Sequence, residues 1–330
     1  MAEKKRVLSG MRPSGRLHLG HLQGVLENWK RLQEEFNSFF FVADWHALTS
    51  EYAASKTVTE NVPEMVIDWL SVGIEPEKAT LFLQSSVVEH AELHLLLSMI
   101  TPLSWLERNP TYKEQMQEIK GRDLSTYGFL GYPVLQAADI LIYRAETVPI
   151  GMDQLPHLEL TREIARRFNF LYGKTFPVPE PILTETPKLL GFDGRKMSKS
   201  YNNVLLISDP PETIKAKILP MVTCPHRIRR KDPGHPEHCP VFTLHEVYSS
   251  KEEMDYAAEG CRTAGIGCVD CKKIVIKNIN GLLEPIQQRR RGYEKQVDTV
   301  MDILKDGSER ARKEARETME IVREAIWGMR

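Results

Sequence analysis

The sequence predicts an α/β protein: a Rossmann-like, doubly wound parallel sheet followed by a second, mostly α-helical domain. Three observations carry this expectation. Short β-rich runs alternate with longer stretches of helical period through the first two hundred residues, the pattern of a parallel sheet covered by helices on both faces. Strand signals then fade from Asp209-Pro210-Pro211 onward. The closing stretch 308–327 is charged and amphipathic, as one long helix would be.

Taken in order, Val7-Leu8-Ser9-Gly10 reads as the first strand and Phe39-Phe40-Phe41-Val42-Ala43 as a buried one. Between them Leu19, Leu22, Leu26, Trp29 and Leu32 recur at spacings of three and four, so a helix begins near His18 to His21. Further strands are expected at 79–83 and 147–150, and helices at 58–72, 91–100, 126–143 and 154–168. A proline-rich stretch, 176–187, leads to the polar turn Gly191-Phe192-Asp193-Gly194-Arg195, expected to be a mobile loop. The domains are placed at 1–205 and 206–330, with the last helix a candidate to pack back on the first domain.

The bulk numbers agree with this layout. A chain of 330 residues exceeds one ordinary core, and 42% hydrophobic with 27% charged residues is a common globular balance. No apolar run approaches the ~18 to 20 residues of a membrane span, and residues 1–6 lack an apolar signal region. A cytoplasmic protein without membrane contact is expected. The net charge of −1 means that any nucleic-acid affinity must come from a local patch. Basic runs do gather in the last third, at His226-Arg227-Ile228-Arg229-Arg230-Lys231, Lys272-Lys273, Lys277 and Arg289-Arg290-Arg291.

Two distant segments carry the chemistry. Met11-Arg12-Pro13-Ser14-Gly15, between a strand and the helix that opens with His18-Leu19-Gly20-His21, would aim backbone N–H groups and a helix dipole at an anion. Gly20 would leave room for a nucleotide ring or ribose, and His18 and His21 would share one face of the first turn. Lys196-Met197-Ser198-Lys199-Ser200 supplies two lysines three positions apart, able to close over departing phosphates while the serines donate hydrogen bonds. Cationic or potentially cationic groups in both segments point to a triphosphate, hence to consumption of ATP.

The pair resembles the HIGH and KMSKS signatures of class I aminoacyl-tRNA synthetases. Arg12-Pro13-Ser14-Gly15, the run from Leu130-Gly131-Tyr132-Pro133 to Asp139-Ile140-Leu141, and Gly151-Met152-Asp153-Gln154 through His157 to Arg162 are similar to the tryptophanyl branch over nearly the whole chain. The resemblance implies a tryptophan pocket of Tyr132, Gln136, Asp139 and Gln154, with the Asp139 carboxylate accepting the indole N–H. It implies an ATP site of Arg12, Pro13, Ser14, Gly20, His21, Gly151, Met152, Asp153 and Leu189 with the loop Lys196 to Ser200. The catalytic groups would be His18, His21, Lys113, Lys196 and Lys199, with Mg²⁺ assisting the phosphates. Met152 stands where relatives often carry Glu, and Gln136 where many carry Met. Asp44 and His46 are expected to stand behind the ligand contacts. Implied partners are L-tryptophan, ATP and tRNA(Trp), with a homodimer as the assembly. A tyrosyl-tRNA synthetase and a non-catalytic RNA-binding paralogue are the rival readings.

Four of the five cysteines fall as Cys239-x21-Cys261-x6-Cys268-x2-Cys271. Four thiolates suit either a [4Fe–4S] cluster or tetrahedral zinc, which spacing alone does not separate. The single C-x-x-C looks like the iron–sulfur motif of some bacterial tryptophanyl enzymes, which favours [4Fe–4S]. Cys224 stands apart as a free thiol or an alternative ligand, with His235 and His238 also close in sequence.

Overall fold

In a computed structural model the described residues are 4–118, 123–183, 189–195 and 197–328. Five parallel strands, β1 Arg6–Met11, β2 Asn37–Val42, β3 Ala79–Leu83, β4 Thr147–Ile150 and β5 Glu180–Leu183, form one sheet in the order β3-β2-β1-β4-β5. Each of the first four lies within a residue or two of its expected place. β5 was not expected. It is an edge strand, paired from Thr147↔Glu180 to Ile150↔Leu183, and an edge tolerates the missing N–H of Pro181, which made the stretch read as loop.

The reversal of strand order between β1 and β4 opens a crevice. β1 pairs with β2 along its whole length, but its register with β4 is recorded only at Val7↔Thr147. Pro149 has no N–H to continue that ladder. The C-terminal halves of β1 and β4 therefore part at the switch point, where open α/β sheets bind ligands.

The first helical run is α-helical at Leu19–His21, π-helical at Leu22–Leu26 and α-helical again at Glu27–Glu35. Its inward side chains Leu22, Leu26, Trp29 and Leu32 are fully buried, and Trp29 stacks on Phe40 of β2 at 4.2 Å. A π-turn widens the helix at one place, and such turns frequently mark functional sites.

Among the described residues no strand follows β5; helices Pro211–Ile218, Pro240–Tyr248, Lys251–Arg262, Cys268–Tyr293 and Val297–Trp327 complete the chain. Val275, Ile279, Leu283 and Ile286 of the fourth of these share one core with Leu19, Leu22, Met65 and Val66. The last helix returns to the sheet. Ser308 Oγ accepts from Leu83 N–H at 3.2 Å, Arg312 and Arg316 reach Glu89, and Arg6 pairs with Glu314 at 2.9 Å.

Gly307 is where this helix touches β3. A Cβ there would lie 1.8 Å from the Leu81 carbonyl oxygen, so no side chain fits without moving the helix. Gly307→Ala is expected to lower the unfolding free energy by about 1–3 kcal/mol or more through overpacking, read as a fall in thermal midpoint.

Candidate active site

The crevice is a cleft of about 1520 Å³ walled by β1 (Leu8, Ser9, Gly10), the end of β4 (Val148 to Ile150), the first helical run and the helix Tyr127–Ile142. Of the expected residues, Arg12, His18, Gly20, His21, Tyr132, Gln136, Asp139, Gly151, Met152, Asp153, Gln154, Leu189 and Met197 all stand on this one wall. Thr126 starts the helix Tyr127–Ile142 by accepting the N–H of Phe129, which sets the turn on which Tyr132, Gln136 and Asp139 face the cleft together.

Pro13, Ser14, Ser198, Lys199 and Lys113 are not part of the wall. Lys199 Nζ donates to the carbonyls of Ser14 at 2.9 Å and Gly15 at 3.0 Å, so the second signature segment is bonded to the loop preceding the first. Pro13 accepts from Asn61 Nδ2 at 3.3 Å, and Ser198 N–H donates to Asn203 Oδ1 at 2.8 Å. Lys113 is exposed on the helix Pro110–Glu118. Lys196 and the side chain of Ser200 lie outside the described residues. Asp193 braces the turn before the lysines, accepting from Arg195 N–H at 3.0 Å and Asn203 Nδ2 at 2.7 Å.

What ties the two segments together is backbone. Leu19 N–H donates to Leu205 O and Ile207 N–H to Leu17 O, both at 2.9 Å, with His18 opposite Leu206 in an antiparallel bridge. Asp68 accepts the N–H of Leu17 at 2.8 Å, and Arg290 closes on Asp68 from behind.

The histidines differ from expectation in charge. His18 caps its helix, its Nδ1 accepting the N–H of Gly20 at 3.1 Å, while His21 Nδ1 accepts the N–H of His18 at 3.3 Å. Burial, then the neighbouring Lys199 cation, lowers the His18 pKa to about 4. Burial, His18 and Lys199 push His21 well below its usual value. Both rings are therefore neutral near pH 7, and with Nδ1 used as acceptor each carries its proton on Nε2. They offer N–H donors, not positive charge. Burial likewise brings Lys199 down to about 8, leaving it a cation at neutral pH.

Gly20 also acts differently from expectation. Although it lines the cleft, a Cβ would first meet the His18 ring, at 2.9 Å from both Cε1 and Nδ1. The glycine lets the histidine fold back onto the helix start as well as leaving room for a ligand.

Asp139 is buried at 1% exposure and its carboxylate is already surrounded. Oδ1 accepts from His90 Nδ1 at 2.6 Å and Gln84 Nε2 at 2.8 Å, and Oδ2 from His46 Nε2 at 2.7 Å and Gln84 Nε2 at 3.0 Å. Burial alone would raise its pKa, but the hydrogen bonds and charge of His46 and His90 outweigh it and bring the group to about 2. Asp139 is thus an anion at neutral pH. His46, expected behind the ligand contacts, stands on the cleft wall itself; Asp44 is off the wall and accepts from Ser85 N–H at 3.1 Å.

Sequence reasoning assigned no role to Gln84, His90, Asn109 or His157. Gln84 directly follows β3, a position the switch-point rule singles out. His157 lies one helical turn beyond Gln154. His90, one of two histidines in the helix Glu89–Ile100, belongs to neither signature segment.

The four cysteines lie on three neighbouring helices: Cys239 caps Pro240–Tyr248, Cys261 ends Lys251–Arg262, and Cys268 and Cys271 open Cys268–Tyr293. All are free thiols. Burial, then Cys239, Cys261 and Cys268, pushes Cys271 up to about 12, which places the four within electrostatic reach of one another. Yet among the described residues no three His, Cys, Asp or Glu side chains gather so as to hold a metal ion. The expected metal centre is therefore not formed as a single-ion site. Cys271 Sγ instead contacts His245 Nε2 at 3.2 Å, and Cys224 Sγ lies 3.8 Å from His235 Nδ1.

The fold is a doubly wound parallel sheet with its cleft at the switch point of the strand order. The family model for class I tRNA synthetases (W and Y) matches residues 1–284, and the chain belongs to this family of aminoacyl-tRNA ligases. It is 55% identical to the tryptophan–tRNA ligase of Thermotoga maritima, over 97% of this chain and 98% of that one, and 46% identical to that of Aquifex aeolicus, over 97% and 99%. Tryptophanyl-tRNA synthetase from Campylobacter jejuni, solved with ADP and tryptophan, superposes with a TM-score of 0.88 at 33% identity, covering 97% of this chain and 99% of that one.

Two expectations follow from the geometry. In Gly20→Ala the new methyl displaces the His18 ring, and adenylate formation, followed by pyrophosphate exchange, falls by about 10²-fold, the usual effect of a misplacement near 1 Å. Because the Lys199 cation is lost as pH rises through about 8, kcat/KM for ATP declines on that limb; Lys199→Arg, always charged, moves the limb upward.

Proposed function

We propose that this chain joins L-tryptophan to tRNA(Trp) in two steps, activation by ATP followed by transfer. The observation that carries this reading is the bonding of the two signature segments to each other beside a cleft whose far wall holds Asp139. The names of its relatives, over nearly its full length, support it.

The tryptophan carboxylate attacks the α-phosphorus of ATP in line and pyrophosphate leaves, giving tryptophanyl-adenylate; the 2′-hydroxyl of the terminal ribose then attacks its carbonyl, the acyl–phosphate bond breaks, and AMP and the hydroxyl proton are released. ATP enters as its Mg²⁺ complex, which neutralises part of the phosphate charge. The protein positions and stabilises. His18 and His21 donate from Nε2, Lys196 and Lys199 act as cations on the leaving phosphates, and Lys113 joins them. Arg12, Pro13, Ser14, Gly20, Gly151, Met152, Asp153, Leu189, Met197, Ser198 and Ser200 complete the nucleotide site.

Tyr132, Gln136 and Gln154 hold the amino acid. Asp139 accepts the indole N–H, sharing its lone pairs with His46, His90 and the bifurcated Gln84 amide, whose bonds of 2.8 and 3.0 Å are the easiest to rearrange. A site with such an acceptor rejects a ligand without the matching donor by about 10⁴-fold or more. Tyrosine is disfavoured: the tyrosyl branch offers a tyrosine in the first strand and an aspartate before the proline, whereas this cleft has Leu8 and Arg12.

Residues 1–205 serve as the catalytic domain and 206–330 as the helical anticodon-binding one, in a homodimer working in the cytoplasm. Among the described residues no helix is long and apolar enough to cross a membrane. Cys239, Cys261, Cys268 and Cys271 hold a [4Fe–4S] cluster. What supports a group wider than one ion is the donor set itself: four free thiols within electrostatic reach of one another and of buried Arg227, whose Nε has no hydrogen-bond partner. Such a cluster would clasp three helices beside the basic runs.

Pyrophosphate exchange tested one amino acid at a time is expected to depend on tryptophan. Dependence on tyrosine would favour the other branch, and no exchange at all a non-catalytic paralogue. Anaerobically purified protein is expected to contain iron and sulfide in place of zinc, and Cys268→Ser to lose tRNA charging while keeping adenylate formation; equal loss of both activities would remove the cluster from tRNA recognition.

A further inference from the structure

A chain of hydrogen bonds behind the cleft joins Tyr132 to the helix that carries Lys113. Thr111 N–H donates to Asn109 Oδ1 at 3.0 Å, which fixes the way the Asn109 amide faces. Its Nδ2 therefore points to His157 Nδ1, 3.2 Å away. An amide nitrogen can only donate, so Nδ1 accepts and the ring proton sits on Nε2. That Nε2 lies 2.8 Å from Tyr132 Oη and donates to it. His157 is only 1% exposed, and burial, then His46, brings its pKa to about 4, in keeping with a neutral ring of one tautomer. Every proton in the chain is then assigned, and the phenol of Tyr132 keeps its own proton for the cleft.

The far end of the chain is the start of a helix. Asn109 O accepts the N–H of Lys113 at 3.3 Å, and Thr111 Oγ1 donates to Asp153 O at 3.4 Å. One buried amide thus holds both the first turn of Pro110–Glu118 and the imidazole that orients Tyr132.

We propose that Asn109 and His157 are positioning residues that couple occupancy of the amino-acid pocket at Tyr132 to the placement of the Lys113 helix at the phosphate end of the cleft. The proposal rests on the roles given above to Tyr132 and Lys113. A ligand that engages the Tyr132 hydroxyl draws on the His157 bond, and the strain passes through Asn109 to the helix start. In the other direction, a displaced helix releases His157, and Tyr132 loses its fixed orientation.

Two substitutions cut the chain at different links. Glutamine places its amide nitrogen near the position of Nε2, so His157→Gln keeps the donor to Tyr132 and loses the bond to Asn109. Asparagine reaches only the position of Nδ1, so His157→Asn keeps the Asn109 bond and loses Tyr132. Tryptophan-dependent pyrophosphate exchange is measured for both, with Lys113→Ala alongside. His157→Gln is expected to leave KM for tryptophan nearly unchanged and raise KM for ATP by about 10-fold, and His157→Asn to raise KM for tryptophan by about 10-fold, the usual effect of one lost buried hydrogen bond. Equal changes in both constants for both variants, tracking a common fall in thermal midpoint, would reduce His157 to packing and overturn the coupling while leaving Lys113 in place. An unchanged Lys113→Ala enzyme would instead overturn the coupling at its far end, by removing Lys113 from the phosphates.

Discussion

The structure depends on how the backbone at Leu17–Leu19 is held. One side of it pairs with 205–207, the strand-like segment that follows the second signature. Asp68 takes the N–H of Leu17, and Arg290 pairs with Asp68 while also reaching Glu64 and Glu294. Asp68 and the Arg290 side chain are almost wholly buried, so neither charge can be left alone there without a penalty of several kcal/mol. This arrangement brings a helix of the C-terminal half, a helix of the sheet domain and both signature segments to one point.

The electrostatic design of the cleft follows from that enclosure. Burial strips the histidines of their charge and turns them into directed N–H donors, while Lys199 remains a cation whose ammonium is parked on carbonyls of the Ser14–Gly15 loop. Neutral donors bind an anion without adding like charges beside a cation. A second anion, Asp139, is kept ionised in a buried place only because His46, Gln84 and His90 supply its hydrogen bonds. A cation at Lys199 and a buried anion at Asp139 thus accompany a cleft wall that also carries Tyr132, Gln136 and His157.

The C-terminal half is woven into the same body. Its long helix Cys268–Tyr293 contributes Ile279 and Leu283 to the core shared with the first helical run, and the last helix covers β3 at Gly307. The helix that opens with Cys268 and Cys271 also carries Arg290, which pairs with Asp68, the acceptor of the Leu17 N–H. Arg227, Lys272 and Arg290 of the basic runs are themselves buried, and the carbonyls of Leu219 and Met221 hold the Lys272 ammonium at 2.7 and 2.6 Å.

Composition and periodicity determined the α/β class and four of the five strands, because buried strands and amphipathic helices write their burial directly into the order of side chains; the candidate cleft residues came from the family resemblance that the two motifs carry. Tertiary structure decided the rest. β5 was hidden by Pro181, since an edge strand makes a weaker local demand than a central one. The charge state of His18 and His21 depended on burial and on Lys199, far away in sequence, and no local pattern reports that. The partners of Asp139 come from three separate elements, and His157 gained its tautomer only through Asn109; hydrogen-bond direction is a property of assembled neighbours, not of residues in order.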